Sequence, residues 1–172
     1  MNKHSKIHIF LLTIVIFLSA SCFEPEEFPL EPEIEFISFF IYVDETTSRE
    51  FGIFKIGFTD GDGDLGLAET DTLNQFAKGS KYYYNFFLDF FIKENGAFVP
   101  YQFPDSSFTF HSRIPRVHES EQPKAVRGEI DIEINTEIMA AVLKGNTIKL
   151  QAYVVDRALN ESNTVESNEI IF

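Results

Sequence analysis

The chain has 172 residues, with 27 acidic against 14 basic side chains and a formal net charge of −13. A surface this acidic argues against nucleic acid and anionic headgroups as partners and favours cations or basic surfaces. With one cysteine, no tryptophan, 20 phenylalanines and 6 tyrosines, the fold is expected to rest on an aromatic core, a metal being the other support open to it, because no intrachain disulfide is available.

Residues 1–21 read as an export signal. Lys3 and Lys6 form a positive head, Ile9 to Leu18 an apolar run, and Ser19, Ala20 and Ser21 a small-residue stretch before Cys22. The run is shorter than the roughly 20 apolar residues that cross a bilayer. The arrangement resembles a bacterial lipoprotein signal, in which the cysteine becomes the first mature residue and carries lipid. Where that family usually has leucine, three positions before the cysteine, this chain has Ser19, with Leu18 one position further away. The resemblance implies lipidation of Cys22 and membrane attachment through that lipid; a free thiol is the alternative. The tract Phe23-Glu-Pro-Glu-Glu27 is similar to the surface-export signal of Bacteroidota-type lipoproteins, which implies an outer-membrane address, with the outer face as one of the two open to it.

Residues 22–33, with Pro25, Pro29 and Pro32 among glutamates, lack an apolar face and read as an extended, mobile tether. Residues 34–172 read as one domain. Short β-branched and aromatic runs predict strands near Ile34 to Val43, Phe51 to Thr59, Lys81 to Lys93, Phe98 to Phe103, Phe108 to Ile114, Val126 to Ile134, Thr147 to Asp156 and Thr164 to Phe172. In Glu129-Ile-Asp-Ile-Glu-Ile134 the isoleucines share one face and the acids the other, so that strand is half buried. Asn95-Gly96 predicts a tight hairpin. Thr136 to Lys144 has helical composition, with Asn135 or Thr136 as cap and Gly145 as terminator. The whole is all-β: seven or eight strands with one short connecting helix match an immunoglobulin-like β-sandwich of the kind also found in fibronectin type III and cadherin modules. A jelly roll or small β-barrel is the alternative.

The stretch Asp60-Gly-Asp-Gly-Asp-Leu-Gly66 places three carboxylates at alternate positions with glycines that let the backbone curl. Asp60, Asp62 and Asp64 have the spacing of the first three EF-hand ligands, but the sixth position is Leu65, the twelfth is Asp71, and the flanks read as strand. An EF-hand is thereby rejected. A calcium loop remains, with Glu69 or Asp71 as closing ligands; zinc is disfavoured because the loop offers hard oxygen and no His or Cys. The competing reading is a solvated turn, since Asp and Gly suit turns for local reasons. Leu65 and Leu67 are expected to fold back and anchor the loop.

A second polar turn, Val154-Val-Asp-Arg-Ala-Leu-Asn-Glu-Ser-Asn163, is similar to the closing hairpin of bacterial Ig-like and cadherin-like domains, which reads roughly Val-x-Asp-x-x-Gly-Asn-x-Ser. Leu159 stands where that motif has Gly. In an Ig-like fold the loops after Phe51 to Thr59 and after Thr147 to Asp156 lie at the same end. Asp156 and Asn160 then become additional ligands, unless Asp156 caps its own turn.

His111 and His118, near Arg113 and Arg116, form a small basic island, read as a solvent-facing strand edge or as a patch for an anionic partner; the donors are too few for zinc. Tyr83, Phe87 and Phe91 either belong to a doubly covered strand or form an exposed stripe, and the core reading is preferred. The chain carries no nucleophile elbow, phosphate loop, metalloprotease helix or dinucleotide fingerprint. The expected function is therefore non-enzymatic: a tethered binding or structural module with a calcium loop, meeting an envelope protein or an extracellular polymer. A hydrolase or hydrolase subunit acting on polysaccharide or peptide through Asp60, Asp62, Asp64 or Asp71, and a ligand-free structural spacer, are the alternatives.

Overall fold

A computed structural model describes residues 27–104, 108–118 and 122–171, so Cys22 and the apolar leader lie outside the described residues. Two antiparallel sheets face each other. The first holds β1 (Glu33–Asp44), β2 (Arg49–Asp60) and β5 (Val126–Asn135) in the order β1-β2-β5. The second runs β4 (Ala97–Pro100), β3 (Phe86–Glu94), β6 (Thr147–Val154), β7 (Val165–Glu166), with β8 (Ile170–Ile171) also paired to β6. β1–β2 and β3–β4 are hairpins within a sheet, the chain changes sheet from β2 to β3, from β4 to β5 and from β5 to β6, and neither sheet closes into a barrel. The architecture is an all-β sandwich of two antiparallel sheets.

Period-two patterning determines what lies between the sheets. Phe54, Ile56 and Phe58 of β2 and Ile132 and Ile134 of β5 point inward from one sheet. Phe86, Leu88 and Phe90 of β3 and Ile148, Leu150, Ala152 and Val154 of β6 point inward from the other. Phe54 and Phe86 meet across the core with ring centroids 6.0 Å apart. A fully buried side chain of this size contributes about 1.5–3 kcal/mol, so the aromatic composition supplies the cohesion that disulfides do not. One helix, α1 (Thr136–Leu143), connects β5 to β6; the Asn135 side chain accepts from the Glu137 N–H at its start, and Met139 and Leu143 are buried beneath it.

The differences from the expected strands have local causes. The run expected as a strand from Phe108 to Ile114 makes a single bridge, Ser112 with Phe86, because its polar groups are spent one at a time on β3: the Ser112 N–H donates to the Phe86 carbonyl and His111 Nδ1 accepts from the Leu88 N–H. The strand expected from Lys81 begins only at Phe86, where the Asn85 amide bonds both the N–H and the carbonyl of Ile114. The last expected strand is split because Ser167 is buried between its halves, and its hydroxyl accepts from the Leu150 N–H where a backbone carbonyl would have done so. Asn95 and Gly96 both have positive φ, as a tight β3–β4 hairpin requires. A 3₁₀ turn at Asn74–Phe76 is additional.

Candidate metal-binding site

Gly52, Phe54, Ile56, Phe58 and Asp60 alternate along the inner face of β2, so Asp60 enters the end of the core and is fully buried. Its carboxylate accepts from the Leu65 N–H at 2.8 Å and from the Asp62 N–H at 3.4 Å, which folds the loop back over it. Leu65 and Leu67 are buried and anchor the return. The glycines have a further reason besides curling. A Cβ on Gly61 would lie 2.4 Å from the carbonyl oxygens of Phe28 and Pro29, and one on Gly66 would lie 2.3 Å from the Pro115 carbonyl oxygen. Other chain segments press on the loop where side chains are missing. Residues 28 and 29, in the segment read as tether, are among them, and the Gly61 N–H donates to the Pro29 carbonyl at 2.8 Å.

This folding brings one carboxylate oxygen from each of Asp60, Asp62 and Asp64 within 4.8 Å of one another. Asp62 Oδ1 and Asp64 Oδ1 are buried and have no hydrogen-bond partner. Burial, with the charges of Asp156, Asp62 and Asp60 adding to it and Arg157 opposing, pushes the Asp64 carboxyl up to about 6. Asp60 is raised mainly by burial, against the lowering effect of its backbone hydrogen bonds. Three carboxylates at this separation repel unless they share protons or a cation. The donor set is hard oxygen, which suits calcium and not zinc.

The loop after β6 lies against this cluster, as the strand order requires. Arg157 Nε donates to the Asp64 carbonyl at 3.2 Å, and Asp156 is buried, its carboxyl raised chiefly by burial and further by Asp62. Asp156 acts on the cluster through its charge: its two oxygens accept from the backbone N–H and the side-chain amide of Asn160, both at 2.8 Å, which closes its own turn. Asn160 gives its backbone and side-chain nitrogens to that pair and lies outside the three-carboxylate group. Glu69 is exposed and outside the three-carboxylate group. Asp71 is also outside it, accepting from the Ala68 N–H at 2.8 Å and pairing with Arg116 at 3.4 Å.

The basic island has a structural use. Arg113 donates to the carbonyls of Tyr83, Ala68 and Asp71 at 2.7, 3.0 and 3.0 Å, stapling the segment after the aspartate loop to the approach to β3. Phe87, on the outer face of β3, is buried between Tyr153, stacked at 4.7 Å, and His111 at 5.0 Å, while Tyr83 and Phe91 are half-buried. The strand is covered on both faces there. Asn163 joins the sheets, its side chain bonding both the N–H and the carbonyl of Ile34 at 2.8 Å. Sequence reasoning placed Arg113 in the basic island and Pro29 in the tether and missed the contacts that they and Arg157 make with the loop and its neighbours. Arg157 was the legible one, a cation inside a turn already marked as a neighbour of three aspartates.

Searches of protein families, curated proteins and solved structures find no match to this chain.

Proposed function

We propose that the protein is a lipid-anchored outer-membrane lipoprotein, displayed at the cell surface, whose sandwich is a non-enzymatic binding module stiffened by calcium on Asp60, Asp62 and Asp64. The observation that carries the metal is the pair of buried, unpartnered oxygens on Asp62 and Asp64 beside the Asp60 carboxylate. A cation there removes both the repulsion and the cost of two unpaired acceptors. Backbone carbonyls and water complete the six to eight oxygens calcium takes. The anchor rests on the leader, on Cys22 and on the acidic tract that follows, and the partner is an envelope protein or an extracellular polymer.

Thermal unfolding with calcium and with chelator tests the metal. At a hundred times the dissociation constant calcium adds about 2.7 kcal/mol, and Asp62→Ala and Asp64→Ala abolish the gain. Coincident curves for all proteins leave the loop as a polar turn and the domain as a spacer. Cys22→Ser separates the anchor from the metal, since it removes the protein from the membrane fraction without touching the calcium response.

Asp64 also gives the competing hydrolase reading its one support, because a carboxyl holding its proton to about pH 6 suits a general acid. That reading requires turnover of a polysaccharide or peptide that Asp64→Asn abolishes.

A further inference from the structure

Four of the large apolar side chains left exposed lie within seven positions of one strand: Ile37 (40 %), Phe40 (48 %), Ile41 (43 %) and Val43 (54 %). That strand is β1, the edge of its sheet. β2 occupies one side, and the other side has no ladder among the described residues. Its beginning is closed, because the Asn163 side chain bonds the Ile34 N–H and carbonyl much as a neighbouring strand would. Past the irregularity between Phe36 and Ser38 the edge continues to Asp44. Natural sheets protect such edges with lysine, proline, short strands or inward-pointing charge. Phe36-Ile-Ser-Phe-Phe-Ile-Tyr-Val43 has no charge and no proline, in a strand of 12 residues.

We propose that this edge receives an extended strand from a different protein, apolar at alternate positions and carrying lysine or arginine at its ends. Main-chain hydrogen bonding to an open edge supplies affinity, and the side chains on either face supply selectivity. The charge around the edge selects the occupant. Glu33 and Glu35 precede the apolar stretch, and Asp44 and Glu45 follow it. Arg49 faces Asp44 across the β1–β2 ladder, and Lys55 is held by Glu129 and Asp131, which leaves Glu33, Glu35 and Glu45 as the charges to be matched. A second copy of this chain is a poor occupant. Superposing residues 37–43 on themselves in antiparallel register sets Glu35 opposite Glu45 on both sides of the symmetry axis, and like charges directly opposite destabilise a strand pair. An anionic lipid surface meets the same repulsion.

The inference deepens the binding-module reading and rests on it only for the existence of a protein partner. The test uses the purified protein and two synthetic peptides of alternating valine and threonine, one flanked by lysine pairs and the other by glutamate pairs. Titration by fluorescence anisotropy at low salt gives the lysine peptide about tenfold or more tighter binding, declining as salt rises, and amides within residues 37–43 gain protection from hydrogen exchange. Ile41→Lys, at a half-exposed position where the fold tolerates it, removes the binding and leaves the unfolding midpoint within a few degrees. Equal binding of the two peptides, retention of binding by Ile41→Lys, or a concentration-dependent dimer in sedimentation overturns the proposal. Each titration is run with calcium and with chelator. A protein that binds the lysine peptide without a calcium response loses the metal reading and keeps this one, and the reverse result does the opposite.

Discussion

Arg157 reaches across from the loop after β6 and donates from Nε to the Asp64 carbonyl at 3.2 Å. The contact fixes the backbone of the aspartate loop and sets a positive charge beside four buried or half-buried carboxyl groups, those of Asp60, Asp62, Asp64 and Asp156. The arginine lowers the Asp64 carboxyl, but burial and the neighbouring acids outweigh it.

The balance makes the metal-free protein sensitive to pH in an unusual direction. The folded state holds the Asp64 proton up to about 6, against 3.8 for the ordinary group, so its contribution to stability is present below 3.8 and is lost as pH rises through about 6. Asp64→Asn, which keeps the shape without the charge, therefore stabilises the chelated protein at pH 7.5 by about 1 kcal/mol, less than the full shift implies because Asp64 is partly solvated. At pH 3.5 the two proteins unfold together. Denaturant melts at both pH values check this, and a variant less stable than the parent at pH 7.5 contradicts it.

His111 works in the opposite sense. Burial lowers its pKa below the ordinary 6.5, with Asp89 opposing, and its Nδ1 accepts from the Leu88 N–H at 3.1 Å, which a protonated ring does not do. The folded state prefers the neutral ring, so its contribution is present above pH 6.5 and declines as pH falls below it. His111→Ala costs about 1–2 kcal/mol at pH 7.5 by orphaning the Leu88 N–H. Its stability between pH 7 and 5 loses the downward slope that the parent shows after the Asp64 effect is removed with Asp64→Asn in both backgrounds.

Arg113 tests whether a charge or a shape is needed. Arg113→Ala leaves three backbone carbonyls without their donor and costs about 2–3 kcal/mol in urea unfolding. Arg113→Lys retains the charge, but a single ammonium does not span the Tyr83, Ala68 and Asp71 carbonyls. It recovers less than half of the loss. Full recovery would make the interaction electrostatic and the stapling geometry irrelevant.

Leu159 has φ +73°, a left-handed conformation that disfavours a side chain, at the position where the similar hairpin motif has glycine. Leu159→Gly relieves that strain and stabilises the protein by about 0.5–1 kcal/mol, read as a higher denaturant midpoint. A destabilised variant means that the half-buried leucine side chain contributes more by packing than its backbone costs.

The sequence by itself determined the elements whose causes are local. Alternation placed Ile132 and Ile134 on one face, Asn95-Gly96 marked a hairpin, and Asn135 or Thr136 marked the start of α1, because each depends on residues a few positions apart. It also made the aspartate loop conspicuous and, through the strand order of the sandwich, put the turn at Asp156 beside it. The tertiary structure decided the rest, because those contacts join residues distant in the chain. It spent Asp156 on Asn160 and Asp71 on Ala68 and Arg116, leaving Asp60, Asp62 and Asp64 as the converging set. It turned the run from Phe108 to Ile114 from a strand into a cover for Phe87, and it laid Pro29 across Gly61. It also left one side of β1 open, since whether an apolar strand is central or at an edge depends on which other strands arrive beside it.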